Sequence, residues 1–85
     1  MSKALQVYYT AFDHAFQKLP LEVKRRIEAK IDGMGTRLET YPHNRMTGTD
    51  TFRLRVGDYR VIYKFDAAKQ EIYLLAIGHR REIYR

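Results

Sequence analysis

Arg53, Arg55 and Arg60 stand in the stretch RLRVGDYRVIYK, and His79, Arg80, Arg81 and Tyr84 stand in GHRREIYR at the end of the chain. Arginine carries a planar, permanently charged fork that grips a phosphate at two points. Histidine, with an ordinary pKa of about 6.5, and tyrosine, at about 10, are the neighbouring groups able to move a proton. This set suits phosphodiester chemistry. In metal-free RNA cleavage the 2′-hydroxyl attacks the adjacent phosphorus, negative charge grows on the phosphoryl oxygens, and the 5′-oxygen leaves. Guanidinium groups stabilise that charge but cannot take the proton. His79 or Tyr84 would carry it, the phenol as a donor when neutral and as a base only if cations beside it help it ionise. Either ring could also stack on a base.

Alternation decides whether these arginines meet. Phe52, Leu54 and Val56 alternate with Arg53 and Arg55, so the arginines point to one face of a strand and the apolar residues to the other. Gly57-Asp58 reads as a two-residue hairpin loop with glycine first, as a type II′ turn requires. Turn length then sets the register: Val56 opposite Tyr59, Arg55 opposite Arg60, Leu54 opposite Val61, Arg53 opposite Ile62 and Phe52 opposite Tyr63. One face collects Phe52, Leu54, Val56, Tyr59, Val61 and Tyr63. The other collects Arg53, Arg55 and Arg60. Like charges opposed across an antiparallel pair cost up to roughly 1 kcal/mol, which favours an anion as their reason for being there. The competing reading is a set of solvated strand residues, or partners for carboxylates such as Glu22 and Glu28.

The elements that must hold this hairpin are set by periodicity. Leu5, Val7 and Tyr9 alternate with Ala4, Gln6 and Tyr8 as in a short strand, and Thr10 is placed to cap a helix. Phe12, Ala15, Phe16 and Leu19 recur at helical spacing until Pro20, which ends that helix and opens the next. Val23, Ile27, Ile31, Met34 and Leu38 form the stripe of the second helix, with a bend, fraying or a close contact expected at Gly33 and Gly35. Residues 41–50 read as loop. Three strands are expected at 51–56, 59–66 and 71–78. The last of them, EIYLLAIG, is almost continuously apolar, as in a central strand covered on both faces. Running antiparallel to its predecessor, it brings His79, Arg80 and Arg81 toward Arg55 and Arg60. Parity across the DAAKQ loop leaves open which of Arg80 and Arg81 points inward.

Composition bounds the rest. The 85 residues contain no linker, repeat or low-complexity run, so a single domain over 1–85 is expected. There is no cysteine, which excludes disulfides and thiolate metal sites, and no apolar stretch of membrane-spanning length, so the expected setting is the cytoplasm without membrane contact. His14 and His43 read as surface residues. With no paired histidine spacing a metal site is not expected, and GMG at 33–35 lacks the preceding strand of a dinucleotide loop, so no cofactor is expected. The KRR run at 24–26 reads as a solvated helix face. The net charge of +6 is uneven: residues 1–42 carry seven basic and five acidic groups, residues 43–85 nine and five. An anion should bind the second half, where Arg45, Lys64 and Arg81 add RNA contacts to the arginine cluster.

The order strand, two helices, three strands, together with FRLRVGDYRVIYKF and IYLLAIGHRREIYR, resembles the RelE branch of the RelE/ParE toxins of bacterial and archaeal toxin-antitoxin systems. The resemblance implies an α+β fold with an N-terminal strand, a two-helix hairpin and a three-stranded antiparallel meander, the helices packed on one face of the sheet. It implies a metal-free endoribonuclease that cuts messenger RNA in the ribosomal A site and is silenced by a RelB-like antitoxin that folds as it binds. Arg53 and Arg55 match basic strand positions, Arg60 the arginine of the GDYR turn, Arg80 that of the last strand, and Tyr84 the C-terminal tyrosine; His79 falls where a basic residue or histidine is common. The best-known RelE pattern has lysines at the first two positions, which could act as a base; Arg53 and Arg55 cannot. The alternatives are a ParE-like toxin that inhibits DNA gyrase by binding alone, and a plain nucleic-acid-binding module.

Overall fold

The computed structural model describes residues 3–79. In chain order it contains β1 (Leu5–Tyr8), α1 (Thr10–Gln17), α2 (Leu21–Gly35), β2 (Asn44–Arg45), β3 (Phe52–Val56), β4 (Tyr59–Asp66) and β5 (Glu71–His79). The strands form one sheet in the order β1-β5-β4-β3-β2, parallel between β1 and β5 and antiparallel elsewhere. The expected α+β architecture, with a helical hairpin packed on one face of the sheet, is the one found.

Both helices form where the apolar stripes lie. Phe12 and Phe16 of α1 are buried and stack on each other at 5.4 Å, and Tyr8, from the inner side of β1, meets both edge-on at 5.0 and 6.0 Å. Such pairs each add about 0.5–1.5 kcal/mol beyond the area they bury. Ile27, Ile31 and Met34 of α2 are inaccessible and join Leu54, Val56, Val61, Tyr63, Ile72, Leu74 and Ile77 in a single core. Gly35 makes the expected close contact: its carbonyl accepts from the Ala4 N–H at 3.1 Å, and a β-carbon there would sit 3.5 Å from the same nitrogen.

Several local expectations are corrected. Thr10 does not cap α1; it is the first helical residue, Tyr9 occupies the cap position, and no side chain caps it. The second helix stops at Gly35, before Leu38, which stays buried within the turn at residues 36–40. The 41–50 segment is not all loop, because Asn44 and Arg45 pair with Arg53 and Phe52 and add a short edge strand. Strand β5 is central, as expected, but the helices cover one face of it, and Tyr73, Ala76 and Gly78 on the other are only half-buried. Among the described residues no helix is long and apolar enough to cross a membrane.

Candidate nucleic-acid interface

Strands β3 and β4 pair in the register derived from the turn, Phe52 to Tyr63 through Val56 to Tyr59, and Gly57 sits at φ +60° as the first residue of the reversal. That left-handed angle is available to glycine without a steric penalty. Because directly opposed residues share a face, Leu54, Val56, Val61 and Tyr63 point into the core, and Arg53, Arg55 and Arg60 share the opposite side. Arg55 is exposed and Arg53 half-buried. Arg60 is 8% exposed, between Arg55 on one side and Gly78, which has no side chain, on the other. A cation so far removed from water acts over a lower effective dielectric than a fully solvated one.

The other predicted residues divide. A bulge between β4 and β5 shifts the pairing from Ile62–Ala76 to Tyr63–Leu74, leaving Leu75 as the extra residue. The inward set of β5 therefore changes phase, from Ile72 and Leu74 to Ile77. His79 lies two residues beyond Ile77 and pairs with Tyr59, whose ring it meets edge-on at 5.7 Å. It lines a cleft of about 350 Å³ with His14, Lys18 and Leu19 on the helix side. His79 thus shares the hairpin end of the sheet with the arginines but lies on the opposite face, contrary to the expected cluster. Arg45 pairs with Phe52, which puts it off the face of Arg53, and its Nε donates to the Thr49 carbonyl at 3.0 Å. Lys64 lies on the arginine side and forms an exposed ion pair with Asp50 at 3.3 Å. Arg80, Arg81 and Tyr84 lie outside the described residues.

Arg26, read as part of a solvated helix face, is exposed as expected and also reaches the hairpin turn, its Nη1 lying 3.8 Å from where a β-carbon on Gly57 would be. Its place beside the Val23–Ile27 stripe was the available signal. His43, expected at the surface, is half-buried among Tyr41, Phe52, Tyr63 and Phe65. The aromatic content at 52, 63 and 65 was visible, but the fold back of the 41–50 segment onto it was not. Burial pushes the Tyr63 phenol well above its usual range. On the open side, Tyr73 donates a hydrogen bond to Glu71, and that bond, more than burial or the nearby carboxylates, raises its pKa to about 12.

No curated protein matches this chain in sequence. Solved structures do. A chain of an archaeal RelE-RelB complex from Pyrococcus horikoshii OT3 is 27% identical, with a TM-score of 0.75 over 93% of this chain and 97% of that one. The toxin-antitoxin complex RelBE2 from Mycobacterium tuberculosis contains a chain 23% identical, with a TM-score of 0.73 and 94% of each chain covered. Isolated RelE toxin from E. coli shares the fold at 15% identity, with a TM-score of 0.76 over 95% of this chain and 90% of that one. The sequence model for the ParE toxin of the type II toxin-antitoxin system parDE matches residues 2–84, so this chain belongs to that toxin family, within the RelE/ParE superfamily.

Proposed function

We propose that this toxin is an endoribonuclease that cleaves messenger RNA in the ribosomal A site, gripping the scissile phosphate with Arg53, Arg55 and Arg60. The observation that carries the proposal is the Arg55–Arg60 cross-strand pair with Arg53 on the same face. Three guanidinium groups on one half-covered sheet surface supply the charge that a phosphorane-like transition state needs. In the reaction the P–O2′ bond forms, the P–O5′ bond breaks, one proton leaves the 2′-hydroxyl and one reaches the 5′-oxygen. With His79 on the helix side, Tyr84 takes the proton-carrying role and Arg80 adds a fourth guanidinium, as the RelE resemblance implies.

The partner is an antitoxin segment that is acidic or amphipathic and folds on this surface, neutralising the +6 charge. Structurally similar chains come from the RelE-RelB complex of P. horikoshii and the RelBE2 toxin-antitoxin complex of M. tuberculosis, which supports a RelB-like antitoxin. The test is to add the protein to programmed ribosomes and map RNA ends. Wild type should cut, and Arg60→Ala should cut at least about a hundredfold more slowly. A silent wild type, or an Arg60→Ala variant as fast as wild type, sinks the mechanism.

The match to the ParE sequence model favours a second reading, inhibition of DNA gyrase by binding. Growth arrest with DNA-damage signalling and intact messenger RNA would select it.

A further inference from the structure

We infer that His43 is a positioning residue that locks the segment between α2 and β3 and thereby sets the edge of the arginine face. Its two ring nitrogens bridge separate elements: Nδ1 lies 2.6 Å from the Tyr63 hydroxyl on β4, and Nε2 lies 2.7 Å from the Leu38 carbonyl in the turn after α2. A carbonyl can only accept, so Nε2 carries the hydrogen, and in the neutral ring Nδ1 then accepts from the Tyr63 O–H. The ring also stacks on Phe65 at 3.9 Å and 19° and contacts Tyr41 and Phe52, while the Arg37 guanidinium lies over Tyr41 at 5.1 Å.

The segment from Asn44 to Asp50 depends on this bridge. Asn44 and Arg45 make only a two-residue pairing with β3, too short to hold register unaided. The turn beyond closes by Met46 N–H to the Thr51 carbonyl at 2.9 Å, and its far end is tied by the exposed Asp50–Lys64 ion pair. The half-buried two-point bridge at His43 is thus the strong anchor. Asn44 pairs with Arg53 and shares its face, so an RNA phosphate held at Arg53 would have the Asn44 amide beside it, able to donate and accept at a base edge. This last step rests on the arginine face being an RNA site; the lock itself does not.

The test combines hydrogen exchange with binding of a short single-stranded RNA by fluorescence anisotropy, in wild type, His43→Ala, Tyr63→Phe and His43→Gln. In His43→Ala and Tyr63→Phe the Met46 amide should exchange at least about tenfold faster, with amides of the β4–β5 ladder within about twofold of wild type. RNA affinity in His43→Ala should fall about three- to tenfold, with an unchanged salt slope because no phosphate contact is lost. His43→Gln, which keeps an N–H for Leu38 and an oxygen for Tyr63, should restore both. An unaltered Met46 amide overturns the lock, as does acceleration of ladder amides by the same factor, which would make His43 a general core residue. A loosened loop with unchanged RNA affinity overturns its link to the site. If wild type binds no RNA, the arginine-face reading fails, while a loosened Met46 amide still upholds the lock.

Discussion

The two faces of the β3–β4 hairpin are built from the same short run of residues yet obey opposite physics. On the inner face Leu54, Val56, Val61 and Tyr63 are removed from water, and their burial sets the pairing. On the outer face Arg55 opposes Arg60 and Arg53 flanks them, an arrangement that repels itself. A strand register, once fixed by apolar contacts, can hold like charges together that would never associate alone. A slip of one residue would bring the arginines inward, at the cost of burying several unpaired charges. The inner face thus fixes the spacing of three guanidinium groups on the outer one.

Leu54→Ala should damage the inner face most severely, lowering the free energy of unfolding by about 2–5 kcal/mol in a denaturant titration through the cavity left in the core. Next comes alkaline pH. Burial raises the phenols of Tyr63 and Tyr8 above the usual 10.0, and Glu28, Asp32 and Asp13 add to the shift at Tyr8. The unfolded chain then releases protons that the folded chain retains. Stability should be full below pH 10 and fall as pH rises above it, with a shallower fall in Tyr63→Phe, read from urea midpoints at increasing pH. On the outer face the sign reverses, since Arg55→Thr removes one of two opposed cations. It should stabilise the fold by about 0.2–1 kcal/mol while weakening RNA binding and its salt dependence, measured by melting and by anisotropy. The smallest effect is expected at Asp50→Asn, within about 0.5 kcal/mol, because the pair with Lys64 is exposed. A larger loss would mean that the loop rests on this ion pair more than on His43.

Legibility from sequence tracked how local the deciding forces were. The hairpin was readable down to its register because a two-residue loop led by glycine leaves one pairing, and alternation then assigns every side chain to a face. Helix α2 was readable as a stripe, but its end was not: Leu38 continues the apolar spacing while the chain has already left the helix at Gly35. The Tyr41–Asp50 segment has turn composition throughout, and its short strand exists only because β3 offers an unpaired edge. His43 was missed for the same reason, since both of its hydrogen-bond partners are distant in kind from anything adjacent to it, a turn carbonyl and a phenol twenty residues on.

The candidate site divides along the same line. Residue order alone determined that Arg53, Arg55 and Arg60 share one side of a hairpin, because strand alternation and a two-residue turn are properties of a few neighbouring residues. Only the tertiary structure decided the side on which His79 falls. Strict alternation outward from the buried Ile72 and Leu74 would carry it to the arginine face, but the extra residue at Leu75 reverses the phase, so Ile77 fills the core and His79 turns toward α1. A bulge is a compromise between the packing needs of two strands, and neither strand's sequence states it separately.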